Sequence, residues 1–139
     1  MLVHNLFFLS YLSLQLIGWS TFAGTSFEWV YVEKEGAEVQ IPHFPAKVKQ
    51  LEGKEIELSG HFLPFEIGTN SIILSQFPYA SCFFCGGTAG AESVAEIQFP
   101  HSPPNFKLDQ IVHVKGKLKL NERDLDHLTF ILTDARIVK

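Results

Sequence analysis

Cysteine is scarce in this chain, and so is positive charge. The 139 residues include two cysteines, Cys82 and Cys85, which is too few for the disulfide framework that holds many small secreted domains together. A hydrophobic core must therefore hold the fold, and a hydrophobic content of 46% suits one domain of this length. The formal net charge is −4, whereas general nucleic-acid binders are usually basic. We therefore expect no nucleic-acid partner.

The sequence also lacks the common catalytic motifs. It contains no G-x-S-x-G, no H-E-x-x-H and no phosphate-binding loop. Residue 86 is Gly86, so the histidine that completes a C-x-x-C-H haem site is missing. A thiol nucleophile with His101 as its base is disfavoured because paired cysteines oxidise in an exported protein. We expect a binding protein rather than an enzyme.

The first 23 residues contain no Asp, Glu, Lys or Arg. An apolar run from Leu6 to Trp19 is shorter than the ~20 residues of a membrane span. Thr21 and Ala23 occupy the −3 and −1 positions of a signal-peptidase site. The sequence predicts a signal peptide over residues 1–23 and a periplasmic or secreted protein with no membrane span after cleavage. The alternative is an uncleaved N-terminal segment.

Two-residue periodicity predicts β-strands after residue 50. Apolar and polar residues alternate most clearly over 56–62 and 112–120, and Gly60 and Gly116 within these runs indicate bends. The predicted strands span 56–62, 71–77, 94–99, 112–120 and 128–138. No long segment shows helical periodicity. We predict an all-β fold, a five-stranded antiparallel OB-like Greek-key barrel over residues 51–139, with an immunoglobulin-like sandwich as the alternative.

Residues 24–50 are predicted to form an N-terminal extension that packs on the barrel. Two β-prone runs, 27–32 and 39–41, flank a polar turn, and Pro42 and Pro45 follow. On the barrel, Lys115, Lys117 and Lys119 lie on one strand face, and Glu55 and Glu57 lie on another. We expect cross-strand Glu–Lys pairs between these faces rather than a nucleic-acid surface.

Several stretches together resemble an uncharacterised bacterial family of exported OB-like proteins. They are 51–65 (LEGKEIELSGHFLPF), 114–120 (VKGKLKL) and 128–137 (LTFILTDARI), and 81–94 (SCFFCGGTAGAESV) resembles a Bacteroidetes-type branch. Another branch has Cys-x-His and a proline run where this chain has Cys-x-x-Cys-Gly-Gly. The resemblance covers about residues 39–138. The resemblance implies no established activity. It implies that this protein, like members of the family, accompanies a membrane transport system, and some of those systems are linked to metal ions.

The Cys-x-x-Cys loop has three interpretations. Cys82 and Cys85 supply two thiolate ligands at a spacing that suits zinc or copper, and His101 and Glu92 are the nearest further donors in sequence. His61 and His113 lie on outward strand faces and are predicted to converge. Alternatively, the two cysteines form a structural disulfide in an oxidising compartment. The third interpretation is that they fill core space beside aromatic residues.

Two functions follow from these interpretations. The first is an exported binding module that handles a transition metal at this loop or docks on a membrane transport complex. The alternative is a structural or interaction protein with a Cys82–Cys85 disulfide and no metal. A disulfide exchanger is disfavoured, because Gly86, Gly87 and Gly90 oppose the helix that activates the first cysteine in such enzymes.

Overall fold

The computed structural model describes residues 16–85 and 89–139, except for the side chains of Leu16, Ile17 and Cys85. The described residues form eight strands and one short helix, α1. The strands are β1 (Leu16–Ile17), β2 (Ser26–Val32), β3 (Ala37–His43), β4 (Glu55–Leu63), β5 (Ser71–Ser75), β6 (Val94–Gln98), β7 (Ile111–Leu120) and β8 (Phe130–Ile137). Helix α1 spans Ala46–Lys49, and single 3-10 turns occur at Trp19–Phe22, Tyr79–Ser81, Phe83–Cys85 and Ala91–Ser93.

Strands β4 to β8 close into a barrel. Their order is β4-β5-β6-β8-β7, and β7 pairs with β4 to complete the ring. This is the five-stranded OB-like barrel that the sequence predicts. The prediction of purely antiparallel strands is wrong at one place, because β6 and β8 are parallel, with Glu96 beside Ile131. A closed ring with an odd number of strands must contain a parallel pair, since strand directions cannot alternate all the way round.

Inward-facing side chains of alternate residues fill the barrel. The buried core includes Ile56 and Leu58 of β4, Val114 of β7 and Leu132 of β8. Gly116 lies at a register irregularity between Lys115 and Lys117, and a Cβ atom there would lie 2.9 Å from the carbonyl oxygen of Thr133. The predicted bend at Gly116 is confirmed, and its cause is the close approach of β8.

The segment before Gly24 is folded against the barrel where the structure describes it. Strand β1 runs parallel to the start of β4, and the indole N–H of Trp19 donates to the Ser59 carbonyl at 3.0 Å. The Phe22 side chain is fully buried and stacks on Phe130, with 4.0 Å between the ring centroids. Most of the predicted signal peptide lies outside the described residues, and its cleavage after Ala23 stays a prediction.

The predicted extension forms a hairpin and α1. Strands β2 and β3 pair along their whole length, from Ser26–His43 to Val32–Ala37. Phe44 and Val48, beyond the hairpin, are buried in the barrel core, and Phe27 packs against it. In the described part of the chain, no helix is long and apolar enough to cross a membrane.

The charged barrel face is paired across strands as expected, with one difference. The Lys115 Nζ atom lies 3.6 Å from Glu57 Oε1, which confirms the predicted Glu–Lys pairing there. Glu55 instead pairs with Arg136 of β8 at 2.7 Å, and the hydrogen bond from Arg136 lowers the pKa of Glu55. Cross-strand ion pairing therefore accounts for Glu55, Glu57 and Lys115, and the predicted pairing of Lys117 and Lys119 stays a prediction.

Candidate docking site

A second apolar cluster covers the outer face of the barrel. Its buried members are Leu63, Ile73, Cys82 and Val94. Ile73 and Val94 alternate in sequence with residues of the main core, so they point out of the barrel. This outer face of β5 and β6 corresponds to the second and third strands of an OB barrel, the face that binds ligands in many OB proteins. Here the loop between β5 and β6 packs over it.

Cys82 anchors this loop. Its side chain is fully buried in the second cluster, and it is disulfide-bonded. Cys85 is the other cysteine of the chain, and its side chain lies outside the described part, as do Gly86 and Gly87. A buried disulfide sulfur packs as an apolar group, so Cys82 ties the loop to the barrel wall.

Four aromatic side chains in the loops after β4 and β5 are exposed at the surface. Phe65, Phe77, Tyr79 and Phe84 are each about 40% exposed, and we call these four residues the aromatic patch. The Phe65 ring stacks on Tyr79 with centroids 6.2 Å apart and meets Phe84 edge-on at 5.6 Å. The patch therefore joins rings from two loops, one after β4 and one after β5.

Backbone hydrogen bonds fix the start of the loop that carries three of these rings. The Phe77 N–H donates to Ser75 Oγ at 3.2 Å, and the Tyr79 N–H donates to Asp109 Oδ1 at 2.8 Å. The Ser81 N–H closes a turn on the Pro78 carbonyl. Contiguous exposed aromatic surface on a small domain is typical of an interaction site. The geometry therefore provides a preformed apolar surface.

The structure describes only part of the predicted set of metal ligands. Cys82 is buried, His101 is exposed beyond the end of β6, and Glu92 is half-buried in the turn before β6. No group of three or more His, Cys, Asp or Glu side chains suited to a metal ion occurs within residues 16–85 and 89–139, Cys85 excepted. A metal site at Cys82, Cys85, His101 and Glu92 stays a prediction.

His61 and His113 also have separate carboxylate neighbours. His113 Nε2 lies 3.1 Å from Glu57 Oε2, and His61 Nδ1 lies 3.9 Å from Asp109 Oδ1. The histidines are on the same outward face of adjacent strands, with His113 opposite Ser59 and His61 opposite Ile111. Each histidine therefore has its own carboxylate neighbour, and their convergence on one ligand stays a prediction.

Sequence reasoning missed a buried carboxylate beside the second cluster. Glu96 of β6 is fully buried; its Oε1 and Oε2 atoms lie 3.0 and 2.9 Å from His127 Nδ1. The Gln98 side-chain amide donates to Glu96 Oε2 at 2.9 Å. This hydrogen bonding to Glu96 raises the pKa of His127. The one signal in the sequence was an acidic residue inside a mostly apolar predicted strand.

The fold and the covered outer face define a small OB-type barrel whose usual ligand face is closed by its own loop. No model of a known protein family matches the sequence, and no curated protein matches it. The structure is similar to that of a DUF3299 family protein from Pseudomonas aeruginosa PAO1, with a TM-score of 0.54 and 14% sequence identity. The match covers 90% of this chain and 97% of that one. DUF3299 denotes a domain of unknown function, so the similarity establishes the fold alone.

The extent of this match bears on the N-terminal segment. Residues 24–139 make up about 83% of the 139 residues, which is less than the matched 90%. The shared fold therefore extends to residues before Gly24. This agrees with the burial of Phe22 in the barrel core.

Proposed function

We propose that this protein is an exported binding module that docks on a partner protein through the aromatic patch. The observation that carries this proposal is the contact between exposed rings from two separate loops, Phe65 with Tyr79 and Phe65 with Phe84. The family resemblance of the sequence suggests a component of a membrane transport complex as the partner. The proposal assigns no catalytic role to the chain.

The chemistry of the patch suits protein recognition. Aromatic side chains supply large contact areas with few rotatable bonds, and they dominate the binding energy of many interfaces. The Phe65 ring already contacts both Tyr79 and Phe84 before any partner binds. Because the rings are held in advance, less conformational entropy is lost on binding.

The disulfide at Cys82 supports a structural role for the Cys-x-x-Cys loop. A sulfur in a disulfide has no thiolate charge with which to bind zinc or copper, since the thiolate is the metal ligand. Pairing Cys82 with Cys85, the other cysteine, would close the chain around Phe83 and Phe84. Metal handling at the same cysteines is the competing proposal, and it requires the reduced protein.

Site-specific photo-crosslinking tests the docking proposal in cells that export the protein. A photoreactive phenylalanine analogue replaces Phe84, and the matched control places it at Trp29, which is 63% exposed on the hairpin. We expect one predominant protein adduct from position 84 that is absent from position 29. Tyr79→Ala in the Phe84-labelled chain should reduce that adduct several-fold, because each anchor residue of an interface carries a large share of the affinity.

Several results would contradict the proposal. Equal adduct patterns from positions 84 and 29, or an adduct that Tyr79→Ala leaves unchanged, would remove the patch from the interface. An adduct at twice the mass of this chain would show that a second copy, rather than a different protein, covers the patch. Denaturant unfolding of each variant establishes that the exposed substitutions leave the fold intact.

A further inference from the structure

A groove lies between the β2–β3 hairpin and the loop that joins β7 to β8, residues 121–129. It encloses about 400 Å³, within the ~300–1,000 Å³ of typical ligand pockets. We call it the hairpin groove. Its lining residues are Val30, Val32, Glu35, Val39, Ile41, Arg123 and Leu125.

The register of the hairpin explains why the groove is apolar. Val30 pairs with Val39, and Ile41 pairs with Glu28 two residues along the same face. Alternation places the aliphatic side chains on the face that lines the groove and the exposed Trp29 and Tyr31 on the opposite face. The hairpin therefore presents an aliphatic surface to the groove and an aromatic surface away from it.

The second wall of the groove is held in place by Asn121. Its side-chain amide donates to the carbonyl oxygens of Asp124, His127 and Leu128 at 2.7, 3.2 and 3.1 Å. Its Oδ1 atom accepts the N–H groups of Arg123 and Asp124. Leu125 lies in this hydrogen-bonded loop, and its side chain is half exposed. The groove is thus built before any ligand enters it.

Acidic residues outnumber basic ones in the two segments that form the hairpin groove. Glu35 and Arg123 line the groove itself, and Glu38 lies on the face of Tyr31. In all, the hairpin and the loop contain seven acidic residues: Glu28, Glu33, Glu35, Glu38, Glu122, Asp124 and Asp126. The basic residues of the same two segments are Lys34 and Arg123. Among the described residues, only Glu28 of this acidic set forms an ion pair, with His43 at 2.9 Å. The resulting negative potential favours a positively charged partner.

The hairpin also offers backbone groups for pairing. Within the described residues, β2 and β3 pair only with each other, so each strand has a free edge. A free edge accepts an extended peptide as an added strand. We propose that the hairpin groove binds an extended segment of a partner polypeptide in which basic and aliphatic residues alternate. This site is separate from the aromatic patch and does not depend on the function proposed for that patch.

Fluorescence anisotropy with short labelled peptides tests this proposal on the folded protein. The probe alternates lysine and valine, and two comparison peptides alternate glutamate with valine and lysine with serine. We expect the lysine–valine peptide to bind most tightly, with an affinity that falls as salt screens the acidic residues. Leu125→Ala and Glu35→Lys should each weaken it about tenfold, as expected for loss of one apolar or one charged contact. Tyr31→Ala, on the opposite face, should leave it unchanged.

The comparison peptides make each outcome decisive. If the lysine–serine peptide bound as tightly as the lysine–valine peptide, charge alone would explain the binding, and the assignment of an aliphatic groove would be overturned. Equal binding of the glutamate–valine peptide would overturn the role of the acidic residues. A loss with Tyr31→Ala as large as with Leu125→Ala would place the peptide elsewhere. Leu125 and Glu35 are exposed enough for their variants to fold, and a denaturation curve for each verifies this.

Discussion

The imidazole Nδ1 of His127 lies 2.9 Å from the nearer oxygen of Glu96, a carboxylate that is fully buried on the outer face of β6. The hydrogen bond to Glu96, and then the charge of that carboxylate, raise the pKa of His127 above its ordinary value of 6.5. The bond ties the loop after β7 to the barrel wall. A raised His127 pKa predicts a stability that depends on pH.

We predict that the free energy of unfolding decreases as the pH rises above about 6.5. A histidine whose pKa is higher in the folded state binds its proton more tightly there. Its stabilisation of the fold is complete at pH values below the unfolded-state pKa, and it is lost as the pH rises through the folded-state pKa. Urea denaturation at several pH values measures this. His127→Gln should flatten that part of the profile, and Glu96→Gln should lower the His127 pKa read from its imidazole resonances. A slope that persists in His127→Gln would assign the effect to another group.

We predict that Phe22→Ala destabilises the full chain by about 3–5 kcal/mol, the usual cost of removing a buried aromatic ring. Phe22 is fully buried against Phe130, so its loss leaves a cavity at the end of the barrel. Denaturant unfolding measures the change, and Phe65→Ala, at an exposed ring, is the control with an effect below about 1 kcal/mol. A chain that begins at Gly24 should lose at least as much stability as Phe22→Ala. Equal stability of the two chain lengths would show that the segment before Gly24 is dispensable.

We predict that Gly60→Ala costs about 1–3 kcal/mol through overpacking. A Cβ atom at Gly60 would lie 2.8 Å from the Ser75 carbonyl oxygen and 2.9 Å from the Trp19 ring. The backbone oxygen cannot move without disturbing the pairing of β4 and β5. Ser59→Ala, at the neighbouring outward position, serves as the control. Thermal unfolding distinguishes them, and similar midpoints would mean that the strands relax around the added methyl group.

We predict that the protein isolated under oxidising conditions is two hydrogens lighter than the reduced chain and carries no metal. Reduction of a disulfide between Cys82 and Cys85 should cost about 2 kcal/mol or less, because the loop that it closes is short. Intact-mass spectrometry under native conditions, with and without a thiol alkylator, measures the first quantity, and denaturation in reductant measures the second. A mass increment of one metal ion, with alkylation only after chelation, would favour the metal-handling proposal instead.

The barrel was predictable from the sequence because strand alternation is a local property. Gly116 and the alternating run around it identify β7 and its bend without reference to other strands. The parallel pairing of β6 with β8 was not predictable from local alternation, since strand direction depends on how the ring closes. Glu96 was missed because both faces of β6 are buried, which removes the alternation that marks a solvent-facing carboxylate.

The candidate sites were harder to predict from the sequence than the barrel, because they depend on tertiary contacts. The Cys-x-x-Cys spacing drew attention to the loop of Cys82, but spacing alone does not show that the loop packs on the outer barrel face. Phe65 joins the aromatic patch from a different loop, a contact between residues distant in sequence. The leader-like composition of residues 1–23 likewise gave no sign that Phe22 packs against Phe130.

Strand β4 separates β1 from the aromatic patch. Strand β1 pairs with Ile56 and Glu57, whereas Phe65 of the aromatic patch follows the other end of the same strand. At about 3.3 Å per residue, the six steps from Glu57 to Leu63 separate these two ends by roughly 20 Å. Strand β1 and the aromatic patch therefore lie at opposite ends of β4. A partner docked on the patch, as proposed, would leave the pairing of β1 with β4 undisturbed.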